Sequence, residues 1–205
     1  MTKRDYRSAA GFSLVEMMIV VGLAAVLTGI AVAQVSLSRQ GTVGDGGMRV
    51  VLGQMNQARQ TAIQQRRYVR VVFTTPNLMQ VVIENTTSAS TTALCLTTPA
   101  CTVLTSPVLE GNVQFGLVTS VTTDTPDAFG NNPAAFNGSP VAFGSATFVR
   151  FAPDGTLVNQ NGVFTNGTVF LAMPSTALSQ RAVTVLGATG RVRGYRWIGN
   201  QWAVV

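Results

Sequence analysis

The chain has 205 residues, a formal net charge of +6 and no histidine. This length suits one membrane helix and one domain with a single core. Without histidine the chain lacks the usual general base and the usual zinc ligand. The acidic side chains beyond residue 11 are scattered along the sequence without pairing. We therefore expect a protein that is not an enzyme and has no catalytic residue, no metal site and no cofactor.

The N-terminal region combines a basic leader with a long apolar run. Lys3, Arg4 and Arg7 come before residues 12–33, where Glu16 is the one charged residue. The positive leader is expected to stay on the cytoplasmic side. The uncharged run that follows Glu16 is long enough for a helix of about 33 Å, which matches a bilayer core. Because an isolated carboxylate is costly in this setting, Glu16 is predicted to be functional and to need a positive partner.

The small residues of this region lie before the apolar run, whereas a secretory signal has its cleavage site after the run. A cut between Gly11 and Phe12 would leave the apolar segment on the mature protein. It would also create an α-amino group about one helical turn before Glu16. That ammonium could neutralise the carboxylate of an adjacent copy. The alternative is an ordinary signal anchor with an isolated glutamate.

The residues GFSLVEMMIVVGLAAVLTGIAV resemble the class III leader junction of type IV pilins and type II secretion pseudopilins. The resemblance implies cleavage between Gly11 and Phe12 by a prepilin peptidase, and N-methylation of Phe12. It implies packing of the helix into a filament core, with Glu16 acting in assembly. It also implies a single-pass protein of the bacterial inner membrane, with its C-terminal domain in the periplasm and other pilins or pseudopilins as partners.

Beyond the apolar run the pattern predicts an α+β domain. Residues 40–47 contain four glycines, and a glycine inside a helix costs about 1 kcal/mol relative to alanine, so we expect a break there. Apolar residues then recur at helical spacing over residues 48–63, which predicts an amphipathic helix lying against a sheet. The expected organisation is a leader (1–11), a transmembrane and filament-core helix (12–39), a glycine-rich break (40–47) and a periplasmic pilin-like domain (48–205).

Runs rich in β-branched residues, separated by turn residues, predict an antiparallel sheet on which this helix packs. The predicted strands cover residues 67–74, 78–84, 103–109 and 113–118. A strand that ends in a Pro-Asp-Gly turn and three or four further strands follow towards the C-terminus. The long Thr-rich and Ser-rich stretch, residues 85–145, favours turns and exposed loops.

Cys95 and Cys101 are the two cysteines of the chain. They are too few for a structural zinc site and are spaced wrongly for a redox Cys-x-x-Cys motif. Because the domain after the membrane helix should lie outside the cytoplasm, a disulfide is favoured over two free thiols. Closing so short a loop adds about 2 to 3 kcal/mol at best, so its expected role is to pin a surface hairpin.

Charge is distributed unevenly at the C-terminal end. Asp154 is the last acidic residue, and four arginines follow it: Arg181, Arg191, Arg193 and Arg196. This asymmetry predicts an anionic partner, and the alternative is a basic domain that is simply well solvated.

Three further blocks, LGQMNQARQTAIQQRRYVRVVF, VRFAPDGTL and RAVTVLGATGRVR, look like the GspH/FimT family of minor pilins and pseudopilins. The resemblance implies a structural role in starting or capping a type IV pilus or the pseudopilus of a type II secretion system. The glycine-rich residues 40–47 and the insertion at residues 85–145 depart from the pattern of that family.

Some members of that family resemble competence-associated pilins, which bind DNA through a C-terminal Gly-Arg-x-Arg motif. This sequence matches the motif at Gly190, Arg191 and Arg193. Residues two apart on a strand face the same side, so the two guanidiniums could hold one phosphate track bidentately. Arg196 adds charge, and nearby aromatic residues offer stacking faces for single strands. The alternative is a solvent-facing strand pair beside a turn, with the aromatic residues in the core.

Two functions therefore remain open at the level of sequence. The chain is either a structural component that helps to start a filament, or a module that captures DNA for uptake in natural transformation.

Overall fold

The computed structural model describes residues 13–85, 101–118, 121, 126–127, 139–143, 148–159 and 161–205. These residues belong to two compact units, the first ending at Arg39 and the second running from Gln40 to Val205. The helix α1 (Leu14–Gln65) comes first and short strands follow it. The predicted α+β fold, an apolar N-terminal helix followed by an antiparallel β-sheet domain, is confirmed.

The described strands form two antiparallel sheets. Sheet 1 has the order β3-β2-β1-β6-β7, and sheet 2 has the order β11-β10-β9-β8-β4 with β5 also paired to β8. The strands are β1 (Val69–Thr74), β2 (Leu78–Glu84), β3 (Cys101–Thr105), β4 (Gln114–Phe115), β5 (Val141–Ala142), β6 (Phe148–Phe151), β7 (Leu157–Val158), β8 (Gly167–Ala172), β9 (Arg181–Leu186), β10 (Arg191–Trp197) and β11 (Trp202–Val204).

One buried cluster joins the second part of α1 to both sheets. The helix contributes residues at spacings of three and four: Met48, Val51, Met55, Ala58 and Ala62. Alternate residues of β1, β2, β6, β8 and β9 belong to the same cluster, as expected for strands that bury one face. The predicted packing of an amphipathic helix on a sheet is therefore confirmed, and the helix packs against both sheets.

The glycine-rich residues 40–47 are helical, so the predicted break in the helix is wrong. Two of these glycines are explained by close packing. A Cβ atom on Gly44 would lie 2.5 Å from the carbonyl oxygen of Ser179, and one on Gly47 would lie 2.8 Å from Cγ1 of Val113. The missing side chains let α1 approach the rest of the second unit closely. This packing outweighs a propensity cost of about 1 kcal/mol per glycine.

The predicted strand at residues 78–84 agrees with β2, and the one at 67–74 begins two residues early relative to β1. The strand predicted at 103–109 instead begins at Cys101 and ends at Thr105. Pro107 follows, and proline cannot donate to a β ladder. The strand predicted at 113–118 is limited to β4. Much of the Thr-rich stretch, residues 85–145, lies outside the described residues.

Candidate assembly and anion-binding sites

The apolar part of α1 is exposed over residues 14–31. Leu14–Ala31 is long and apolar enough to cross a membrane, and none of it is buried within the chain. Glu16 lies in the first turn of the helix and is exposed. Among the described residues it forms no ion pair. Gly11 and Phe12, the predicted cleavage and methylation positions, lie outside the described residues.

Strand β10 places Arg191 and Arg193 on one face of sheet 2. The alternate residues of the strand face the other way: Val192 packs against the core, and a Cβ atom on Gly194 would lie 2.9 Å from Leu52 of α1. The two arginines therefore point away from the helix, on the side predicted from the alternation of a strand. Arg191 is exposed and, within the described chain, has no ion pair.

Gly190 has a backbone reason for being glycine. It sits in the turn between β9 and β10 with φ +64, a conformation that favours glycine. A Cβ atom there would overlap the carbonyl oxygen of Gly155. The same oxygen accepts a hydrogen bond from Nε of Arg59 at 3.1 Å. The first residue of the Gly-Arg-x-Arg motif is thus required by the turn whether or not the arginines bind a ligand.

Asp127 lies against the face of sheet 2 that carries the two arginines. Its carboxylate is 3.6 Å from Nη1 of Arg193. It also accepts hydrogen bonds from the hydroxyl groups of Thr184 and Tyr195. Burial raises the pKa of the Tyr195 phenol, and the hydrogen bond to Asp127 raises this pKa further, while Arg193 acts in the opposite direction. Arg193 therefore has an internal counterion, which the sequence did not reveal.

Arg196 faces α1 and is separated from the other two arginines by the sheet. Its Nη2 atom is 2.7 Å from Oδ2 of Asp45, whose Oδ1 is 2.6 Å from Nε of the buried Arg181. Arg181 also donates hydrogen bonds to the carbonyl oxygens of Gly41 and Leu178, both at 2.8 Å. Placing Arg196 at a DNA-binding surface with Arg191 is therefore not supported by the geometry.

Acidic residues from elsewhere in the chain thus offset much of the C-terminal charge. Asp45 is shared by Arg181 and Arg196, and Asp127 pairs with Arg193, so two carboxylates offset half of the charge of the four arginines. The charge asymmetry that predicted an anionic partner is therefore smaller in the folded chain than in the sequence. Arg191 is the cation of this group that has no counterion within the described residues.

The aromatic residues near the motif are mostly buried. Tyr195 and Trp197 are 3% and 4% exposed. The rings of Trp197 and Trp202 meet edge to face at 5.3 Å, and Phe170 lies 5.8 Å from Trp202. These rings therefore act as a small second core on sheet 2, in agreement with the alternative reading of the sequence and not with free stacking platforms.

Sequence reasoning missed a buried charge cluster on sheet 1. Glu84 lies between two arginines, with its carboxylate 2.7 Å from Arg70 and 3.4 Å from Arg150. All three side chains are at most 3% exposed. The guanidiniums also lie over the rings of Phe148 and Tyr68. The available signal was that Arg70 and Arg150 interrupt the apolar runs VRVVF and FVRF and that Glu84 ends the apolar run VVIE.

Cys101 opens β3 and is disulfide-bonded. Its predicted partner, Cys95, lies outside the described residues, so the pairing itself stays a prediction. The position of Cys101 opposite Glu84 in the β2–β3 ladder sets one end of the bridge beside the buried charge cluster.

Comparison with known protein families gives one match, to the prokaryotic N-terminal methylation motif over residues 6–32. No curated protein matches. No solved structure matches either. The matched segment includes Gly11, Phe12 and Glu16, and it implies processing by prepilin peptidase and assembly with other pilins. The chain thus carries the N-terminus of a type IV pilin-like protein, on an apolar helix that is followed by an antiparallel β-sheet domain.

Proposed function

We propose that the chain is a non-enzymatic minor pilin or pseudopilin of the GspH/FimT type. In this role it helps to start or cap a type IV pilus or a type II secretion pseudopilus. It is anchored in the inner membrane before assembly, with its sheet domain in the periplasm. The observation that carries this proposal is the methylation motif on an exposed, membrane-length apolar helix whose first turn holds Glu16.

The exposed apolar surface of this helix needs an apolar environment. The bilayer covers its apolar surface before assembly, and the helices of other pilins can do so in a filament. Glu16 can be accommodated in such an apolar environment when a positive group lies beside it. Processing creates an α-amino group about one helical turn before the position of this carboxylate in sequence, and the amino group of an adjacent subunit is a suitable partner for Glu16.

The test of this proposal is the mature N-terminus. We expect mass spectrometry of protein from sheared filaments to show a chain that begins with N-methylated Phe12. Gly11→Leu should block the cut, since a bulky side chain replaces the small residue before the scissile bond, while Ala9→Leu should be cut normally. Filament-associated protein that retains Met1, or is cut after Ala33, would contradict the pilin assignment.

A second function is favoured by one observation, the exposed Arg191 beside Arg193 on the outer face of β10. We propose as the alternative that this face binds DNA during uptake in natural transformation. Guanidinium groups bind phosphate oxygens bidentately, and such contacts give affinity without base preference. Arg193 is paired with Asp127, and Arg196 is paired with Asp45. Arg191 is therefore the main contributor to phosphate binding.

We expect the mature chain, purified in detergent, to bind duplexes of unrelated sequence with similar affinity. Arg191→Ala with Arg193→Ala should weaken binding uniformly. Each lost phosphate contact should reduce the salt slope by about 0.9. Fluorescence anisotropy at several salt concentrations measures both quantities. Arg49→Ala is the matched control, because it removes an exposed cation from α1. Unchanged binding in the double variant would place the contact elsewhere, and no binding at low salt would leave the filament role alone.

A further inference from the structure

The face of β10 that carries the Gly-Arg-x-Arg motif contains its own anion. We call the outer side of β10, formed by Arg191, Arg193 and Tyr195, the β10 arginine face. The carboxylate of Asp127 lies on it, with its side chain 9% exposed, while the Arg193 side chain is 41% exposed. Arg193 is thus reachable from solvent, but its Nη1 atom already lies 3.6 Å from a carboxylate oxygen.

Asp127 does not depend on Arg193 for its position. Thr184, which is paired with Arg193 across the β9–β10 ladder, donates its hydroxyl proton to one carboxylate oxygen. Tyr195, two residues along β10, donates to the other. Two hydroxyl donors on neighbouring strands therefore hold the carboxylate, and both are buried parts of sheet 2.

The two arginines of this face differ in whether they are free to bind an external anion. Arg191 has no counterion within the described chain, whereas Arg193 has one at 3.6 Å. The net charge of the two arginines with Asp127 is therefore +1, not +2. Arg193 is partly exposed and its Nη1 lies 3.6 Å from the carboxylate, beyond hydrogen-bonding distance, so this ion pair is weak. It can therefore be exchanged for a stronger one. Phosphate accepts bidentate hydrogen bonds from a guanidinium in the same way as a carboxylate.

We propose that Asp127 is the affinity-determining residue of the β10 arginine face, where it acts as an internal counterion with which an external phosphate must compete for Arg193. This inference rests on the proposed DNA-binding alternative for its ligand, a nucleic acid backbone. Arg191 makes the uncontested contact, and Arg193 contributes only to the extent that phosphate displaces it from Asp127. Asp127, which is far from the motif in sequence, thus lowers the affinity of the motif for phosphate in this chain.

The first test is a double-mutant cycle on the mature chain in detergent, with a duplex oligonucleotide as the probe. Asp127→Asn removes the charge and keeps one oxygen that accepts from one of the two hydroxyl groups, while its NH2 group can donate to the oxygen of the other hydroxyl. We expect severalfold tighter binding and a salt slope steeper by about 0.9, the value for one additional phosphate contact. Glu110→Gln, which neutralises an exposed carboxylate elsewhere, should leave the slope unchanged. In an Arg193→Ala background the gain from Asp127→Asn should disappear. An equal gain with and without Arg193 would overturn the inference.

The second test needs no DNA binding. Phenylglyoxal modifies accessible guanidiniums, and peptide mass spectrometry separates the modification of Arg191 from that of Arg193 after proteolysis at engineered or natural sites. In the wild-type chain we expect Arg191 to react faster, and in Asp127→Asn the two rates should converge. Equal rates in the wild-type chain would overturn the role of Asp127. If Arg193 is protected from phenylglyoxal as expected but the chain binds no DNA, the DNA-binding alternative is overturned, while the role of Asp127 as a counterion is supported.

Discussion

Glu84→Gln is expected to lower the free energy of unfolding by about 3 to 5 kcal/mol, the range found when one partner of a buried ion pair is removed. The substitution keeps the shape of the side chain and leaves Arg70 and Arg150 facing each other without their shared anion. Both guanidiniums are buried, at 3% and 0% exposure, so water cannot replace the carboxylate.

The two tryptophans of the chain, Trp197 and Trp202, both lie in the second unit. Their fluorescence therefore follows the unfolding of the sheet domain in the detergent-solubilised mature chain. For a protein of this size the melting temperature should fall by about 6 to 20 °C. Glu110→Gln is the matched control, since Glu110 is exposed, and should change stability by less than about 0.5 kcal/mol. Equal stability of the two variants would contradict the role of the cluster.

A further variant separates the loss of a counterion from the loss of packing. Replacing all three residues of the cluster by apolar ones of similar size, Arg70→Met, Glu84→Leu and Arg150→Met, should be far less harmful than Glu84→Gln alone. Such replacements of a whole buried ion cluster are often neutral or stabilising, because no charge is left without a partner. If the triple variant were the less stable of the two, packing and not charge would explain the cluster.

The sequence predicted those parts of the fold that local periodicity determines. The apolar stripe from Met48 onward repeats at three and four residues, and strand β2 is a run rich in β-branched residues. The glycines at residues 40–47 were misread because propensity considers the helix alone. Gly44 and Gly47 are needed where Ser179 and Val113 approach, and those partners are more than sixty residues away in the chain.

The same limit applies to the candidate site. Alternation along a strand correctly placed Arg191 and Arg193 on one face. The same alternation places Arg196 on the opposite face. The sequence prediction nevertheless grouped Arg196 with the other two arginines, because it considered charge alone. The counterions Asp45 and Asp127 come from α1 and from a segment before β5. No local pattern brings these carboxylates to β9 and β10, so only the folded chain shows which arginines are neutralised.

Glu16→Ala is expected to leave membrane insertion intact and to reduce incorporation into filaments at least about tenfold. Insertion does not need the carboxylate, since charged groups oppose transfer into hydrocarbon. Assembly does need it if the processed N-terminal ammonium of a neighbouring pilin is its partner, because that ammonium would otherwise stay unpaired in an apolar core. A factor of ten corresponds to only 1.4 kcal/mol, and an unpaired charge in such a medium costs more than that.

The measurement compares the amounts of the chain in sheared filaments and in the membrane fraction. Thr28→Ala is the matched control in the same helix, because it removes a polar side chain whose hydroxyl bonds locally to the carbonyl oxygen of Ala24 at 2.7 Å. We expect that variant to assemble normally. Glu16→Gln should fail like Glu16→Ala, since the shape is kept and the charge is lost. If Glu16→Gln assembled normally while Glu16→Ala did not, hydrogen bonding and not charge would be the role of Glu16. Normal incorporation of both variants would show that this carboxylate has no part in assembly.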